Sequence, residues 1–357
     1  MRKPQFFIHS LFFSKIVKLF LVVFISLIAV GSLLFLPKPD KKEENITILV
    51  NEGRMPSIAP NDSTIAYSIL KNGKGELWLI EKEGRNNRLL VTLKGDIIKP
   101  KWSPNGLEVA FINVQAFNQI FKVSQKNVVA PVSKFFDKIE QFEWFDNEWI
   151  LHDGYENSHW GVWLSNSENK HLRLTSSDLN ARSPNLSPNK QYIVLSIKYD
   201  EGYKLVLYDL KEGKQIKLTD GKGDDIKARF SPDNKKIVYL SNRTGKWSIW
   251  LKNIETGDHI ELTPVFSEKK YPKWSPEVDP YTSLLWTPDS QHIIFDALRG
   301  DSRALYMIDL RGGTVILRGE VKQYFQLIQT ILIDKGIVYN PVIDMSGTTI
   351  YFENKSL

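Results

Sequence analysis

Short apolar runs recur along most of this chain, separated by turns rich in Ser, Pro, Asp and Asn. The clearest copy runs from Ala228-Arg229-Phe230 through Ser231-Pro232-Asp233-Asn234 to Ile237-Val238-Tyr239-Leu240. Pro232 presets φ for the first central turn position, and Asp233 and Asn234 tolerate the dihedrals that follow. The β-branched and aromatic run after them predicts a strand. Equivalent turns are centred on Pro60, Pro104, Phe145, Pro188, Pro232 and Pro288, with steps of 44, 41, 43, 44 and 56. Strand-like repeats of about 40–50 residues are the mark of a β-propeller, one blade per repeat.

A second column supports this reading. Eighteen residues after the turn anchor lies a bulky residue between aliphatics, as in Leu77-Trp78-Leu79, Val162-Trp163-Leu164, Leu205-Val206-Leu207, Ile249-Trp250-Leu251 and Leu305-Tyr306-Met307. These are third strands. Fourth strands follow as His171–Thr175, Gln215–Thr219 and His259–Thr263. The expected fold is therefore all-β, a propeller of four-stranded blades over residues 45–357. The spacing favours seven blades, with six as the alternative count. Ile333-Asp334-Lys335-Gly336 is the first turn of the last blade, and Ile350-Tyr351-Phe352 its third strand. The unassigned Ile46–Val50 then supplies the missing fourth strand, which removes an open sheet edge.

The pattern changes at the N-terminus. Leu19–Leu36 is an uncharged, mostly apolar stretch, about 27 Å long as a helix and close to bilayer thickness. It is read as a transmembrane helix or signal anchor rather than a cleaved signal, whose apolar core is usually about 7–15 residues. The single small-residue site, Ala29-Val30-Gly31, would leave an apolar mature end. Residues 1–18 form a short cytoplasmic tail and residues 37–44 a charged linker. Arg2, Lys3, Lys15 and Lys18 before the span weakly outweigh Lys38, Lys41 and Lys42 after it. The expected location is the plasma membrane, single-pass, with the propeller outside the cytoplasm and the membrane contacted through this helix.

Charge and composition narrow the classes. Residues 1–44 carry seven Lys/Arg against three Asp/Glu, so much of the formal net charge of +6 sits there. The remainder is nearly neutral, and no nucleic-acid partner is expected. The chain has no Cys, which excludes disulfides, thiolate metal sites and a Cys nucleophile.

Lys101-Trp102-Ser103-Pro104-Asn105-Gly106 with Val109-Ala110-Phe111, Ala228–Leu240, and Leu285-Trp286-Thr287-Pro288-Asp289 with Ile293-Ile294-Phe295 resemble the repeat of TolB-like β-propellers, a WD-repeat-like class. The resemblance covers most of residues 50–357 and departs at Phe145, where the proline belongs. It implies an interaction module outside the cytoplasm. Similar propellers occur beside peptidase domains and in some polysaccharide lyases. The N-terminal α/β domain of TolB has no counterpart here, since the apolar span stands in its place.

The sequence holds no Gly-x-Ser-x-Gly elbow, no His-Glu-x-x-His and no phosphate-binding glycine loop. The densest polar group, His152–His159, offers His152, Asp153 and His159 as candidate metal ligands, against a plain polar hairpin. The insertion that breaks the period offers Trp274, Glu277, Asp279 and Tyr281 as a binding surface, because loops on rigid scaffolds carry function. No cofactor is expected. The leading reading is a non-catalytic module for a protein or peptide. The alternatives are a propeller enzyme acting on polysaccharide, lyase or hydrolase, and a small-ligand sensor.

Overall fold

The computed structural model describes residues 46–50, 53–262 (positions 62 and 83 apart), 277–299, 302–310, 315–321, 331–333, 336–339 and 350–353. The tail, the predicted span and the linker lie outside these residues, as does Trp274. The described residues hold no helix.

Seven four-stranded antiparallel sheets form, six of them from strands consecutive in the chain. Sheet 1 comprises Arg54–Ile58, Thr64–Lys71, Lys74–Glu81 and Arg88–Lys94. Sheet 2 comprises Asp96–Trp102, Glu108–Val114, Asn118–Ser124 and Val129–Pro131. Sheet 3 is Phe142–Trp144, Trp149–Glu156, His159–Asn166 and His171–Arg173. Sheet 4 is Ala181–Leu186, Tyr192–Tyr199, Gly202–Asp209 and Gln215–Lys217. Sheet 5 is Asp225–Phe230, Lys236–Ser241, Ser248–Asn253 and His259–Leu262. Sheet 6 is Leu284–Trp286, His292–Arg299, Ser302–Asp309 and Val315–Val321. The last sheet joins Ile331–Ile333, Gly336–Tyr339 and Ile350–Glu353 to Ile46–Val50 from the other end of the domain. There Ile46 pairs with Glu353 and Val50 with Ile350.

The turns fold as their residues dictate. In sheet 5, Ser231 Oγ donates to Asp233 Oδ1 at 2.5 Å and accepts from the Lys236 amide at 2.9 Å. Ser103 and Ser187 do the same with Asn105 and Asn189. The residue after the Asp or Asn then takes a positive φ, at Gly106, Lys190, Asn234 and Ser290. In sheet 3 the turn expected to begin at Trp144 begins one residue later. Phe145 N bonds Trp149 O four residues on, whereas Ser103 N bonds Glu108 O five residues on. The loop without proline is thus one residue shorter.

Second and third strands are the buried ones, and among the described residues five of the six apolar clusters straddle two consecutive sheets, the sixth (Ile65, Tyr67 and Ile80) lying within sheet 1. Leu77, Leu79 and Ala66 of sheet 1 pack with Ile97, Val109 and Phe111 of sheet 2. Val238, Ile249 and Leu251 of sheet 5 pack with Ile293, Phe295 and Ile308 of sheet 6. Neither face of a sheet is covered by its own strands, so neighbouring sheets complete the core. The fourth strands end earlier than the apolar alternation predicts. At Thr175 and Thr219 the side-chain oxygen accepts from Val162 N (3.2 Å) and Leu205 N (2.9 Å), which replaces the next backbone rung.

Removing residues 45–50 strips the last sheet of one strand. The expected outcome is a single cooperative unfolding transition lowered by on the order of 10 °C. Calorimetry showing an unchanged midpoint would contradict the structural role given to this strand.

Candidate functional site

In sheets 1 to 5 the first strand carries polar side chains where the second and third carry apolar ones. Register with the second strands aligns Ser57, Lys101, Glu143, Asn185, Arg229 and Leu285 as one column, opposite Ala66, Ala110, Leu151, Val194, Val238 and Ile294. In sheets 1, 2, 4 and 5 the pairing slips just before this column, and the residue in the slip has a positive φ: Met55, Lys99, Ser183 and Lys227. Such bulges re-aim side chains beside them. In sheet 3 a carboxylate takes the bulge's place. Asp153, fully buried, accepts from the Glu140 and Gln141 amides (2.8 Å each) and from Ser183 N of the next sheet (3.1 Å). Asp296 takes the same register position in sheet 6 and accepts from Ser283 N at 2.6 Å.

Consecutive first strands are laced together by this column. Trp102 and Trp144 donate their indole N–H groups to the Ser57 and Lys101 carbonyls of the preceding sheet, at 2.9 and 3.0 Å. Trp286 does so to Arg229 at 3.1 Å. Sheets 4 and 5 have Leu186 and Phe230 at this position, and side chains of the preceding sheet reach forward instead. Glu143 accepts from Leu186 N and Asn185 Nδ2, and Asn185 Oδ1 accepts from Phe230 N. Arg54 pairs with Asp96 at the junction of sheets 1 and 2, and Arg182 with Glu140 at that of sheets 3 and 4, adding an ion pair to each.

Four cations stand within this lining. Lys99 donates to the Glu140 carbonyl, Lys101 to Phe142 O (2.6 Å), Lys227 to Thr282 O (3.3 Å) and Arg229 to Ala228 O (3.1 Å). Among the described residues none of the four forms an ion pair. Burial pulls Lys101 and Lys227 down to about 8, and lowers Lys99 and Arg229 as well. Repulsion from Arg229 adds to the effect on all three lysines, and Lys99 acts on Lys101 and Lys227. Lys99 and Lys101 come from sheet 2, Lys227 and Arg229 from sheet 5, with two sheets between them in the chain. They act on one another's charge and each is half-buried, so these side chains of sheets 2 and 5 come near one another outside the apolar core. Burial also raises Glu143, against the pull of Lys101 and Arg229.

The residues singled out from the sequence fare differently. His152 and Asp153 are both fully buried and, being adjacent on one strand, face opposite sides of the sheet. His152 uses both ring nitrogens, Nδ1 with the Asp153 carbonyl (2.9 Å) and Nε2 with Ser165 Oγ (2.8 Å). His159 is exposed at the hairpin end and contacts Asn157 O. The three do not converge, and among the described residues no group of three His, Asp or Glu is placed to hold a metal ion. The reason lies in the repeat. His152 occupies the register column of Tyr67, Phe111, Leu195, Tyr239 and Phe295, so it is a core residue, with its ring edge-on to Phe136. In the insertion, Glu277 pairs with Leu298 through both backbone bonds (2.9 and 3.0 Å) and is exposed. Asp279 Oδ1 accepts from the Tyr281 and Thr282 amides and shapes the turn. Tyr281 is 63% exposed, one residue before the Thr282 carbonyl that holds Lys227.

The cationic column escaped the sequence reading, although its signal was present. Lys99-Pro100-Lys101 and Lys227-Ala228-Arg229 put like charges two apart in predicted strands, on one face by the period of 2.

Residues 146–282 match the family model described as the TolB beta propeller domain. An uncharacterized protein of Agrobacterium fabrum is 26% identical over 144 residues, 40% of this chain and 47% of that protein. The chain spans less than half the length of the curated relatives it matches. Among solved structures, TolB of Acinetobacter baumannii superposes with a TM-score of 0.54 at 17% identity, over 73% of this chain and 64% of that one. An oligogalacturonate lyase of Vibrio parahaemolyticus gives 0.63 at 11% identity, over 88% and 94%. These likenesses show a shared propeller fold.

Burial lowers His152 to about 4, with smaller contributions from His171 and Lys134. An unfolded histidine titrates near 6.5, so between these values the unfolded chain binds the extra proton. Stability therefore falls as pH drops from about 6.5 towards 4. In His152→Phe, which restores the aromatic of the column, that part of the acid slope is expected to vanish in urea unfolding followed across this range. An unchanged slope would assign it elsewhere.

Proposed function

We propose that this TolB-like β-propeller is a non-catalytic binding module that takes a protein or peptide segment where its first strands face one another. In this reading the propeller is seven-bladed, closed by Ile46–Val50, and the span at residues 19–36 holds it outside the cytoplasm at the plasma membrane. One observation supports binding above all. The lining presents fixed charge, with lysines held by carbonyls of the next sheet and the Glu143 carboxylate filled by Asn185 and Leu186. Glu277 and Tyr281 extend the contact surface, because the segment they belong to ends at the carbonyl bonded by Lys227. Trp274 belongs to the same insertion.

A second reading has its own observation. Lysines lowered to about 8 can serve as proton acceptors, and cations beside them suit an acidic polysaccharide. The Vibrio protein with the same fold is named an oligogalacturonate lyase. The donor set around the cluster is cationic and does not fit a metal ion.

Placing a photocrosslinking residue at Tyr281 in the full-length protein, in its own cells, separates the two. The expected outcome is a discrete crosslinked protein, identified by mass spectrometry, and no unsaturated product from oligogalacturonate. Turnover of oligogalacturonate without a crosslinked protein would reverse the assignment.

A further inference from the structure

We propose that Lys99, Lys101, Lys227 and Arg229 form an anion site that receives the side-chain carboxylates of an acidic peptide segment. The inference rests on the binding-module reading and names the chemistry of its ligand.

Three observations converge on it. The first is spare donor capacity. An ammonium has three donors and a guanidinium five. Among the described residues each of these four side chains has one hydrogen bond, to a neutral backbone carbonyl. The second is charge left uncompensated. Glu140 meets Lys99 through its backbone carbonyl, and its carboxylate is committed to Arg182 and Lys138. Glu143 faces Lys101 and Arg229, and its oxygens accept from Asn185 and Leu186. Asp153 acts on Lys99 and Arg229 from within the sheet, filled by three amides. Asp296 acts on Lys227 and accepts from Ser283 N. Lys138 adds a further positive charge towards Lys99. The third is position. Cations from sheets 2 and 5 come near one another outside the apolar core, so a single extended ligand can reach both pairs. Carboxylates entering there gain charge-assisted bonds in a partly desolvated setting, where such bonds are strong.

A peptide fits better than an acidic sugar for a geometric reason. Sugar rings are commonly held against exposed aromatic faces. Trp102, Phe142, Trp144, Phe230 and Trp286, the aromatics of these strands, are all buried; the tryptophans spend their indole N–H groups on the neighbouring sheet, and Lys101 itself lies over the Phe142 ring at 5.3 Å. Among the described residues of these strands no exposed aromatic face is left beside the cations.

The test is calorimetric titration of the full-length protein, in neutral detergent at low salt, with a hexaglutamate peptide and with hexagalacturonate. Hexaglutamate is expected to bind at pH 7 and to weaken at least tenfold by pH 9.5. Lys101 and Lys227 lose their protons over that range, while glutamate and arginine keep their charges. Lys101→Met combined with Arg229→Met should weaken binding at pH 7 by a similar factor. The pH profile needs no variant, so it decides the matter if the double variant does not fold. Absence of hexaglutamate binding, or affinity that ignores pH, overturns the site. Hexagalacturonate binding as tightly or more tightly overturns the peptide assignment in favour of an acidic glycan. A protein crosslinked at Tyr281 equally by wild type and a folded double variant overturns the site and leaves the binding-module reading standing.

Discussion

An antiparallel sheet whose second and third strands are apolar on both faces cannot be stable alone. Burying both faces demands a neighbour on each side, and the only surface of matching shape is another such sheet. This constraint organises the protein. It explains why apolar clusters are shared between consecutive sheets, as with Phe111 packing beside Leu77. It also explains why residues from opposite ends of the domain, Ile46–Val50 and Ile350–Glu353, meet in one sheet.

The same constraint leaves the first strands as the place where polarity is tolerated. They lie where the sheets converge, and their side chains meet those of the next sheet instead of bulk apolar surface. The junctions use three devices for one task. An indole N–H reaches back at Trp102, Trp144 and Trp286, a carboxylate or amide reaches forward at Glu143 and Asn185, and an ion pair bridges Arg54 to Asp96. Each satisfies a backbone or charged group that would be costly to bury unpaired.

Much of the fold was legible because its determinants are local. Ser231-Pro232-Asp233-Asn234 encodes its turn within six residues, and the alternation of strands needs nothing from afar. The candidate site was less legible because its residues are joined across sheets. Lys101 reads as an ordinary polar strand residue until Phe142 O and Arg229 are placed beside it. His152 misled in the opposite sense. Its polar neighbours in sequence, Asp153 through His159, suggested a ligand set, while the column that contains Tyr67, Phe111 and Phe295 assigns it to the core. Reading down the repeats, and not along them, is what distinguishes the two.

The lining column has a consequence for how a guest is oriented. Repeats of similar sequence build a frame that is nearly symmetric about its centre, and a symmetric frame would hold an elongated molecule equally well in several rotations. The side chains remove that degeneracy. Positive groups stand on sheets 2 and 5, Glu143 on sheet 3, an amide at Asn185 and an aliphatic at Leu285. No rotation by one repeat maps this pattern onto itself. A guest bound as proposed would therefore be held with a defined azimuth, and its two charged ends would not be interchangeable.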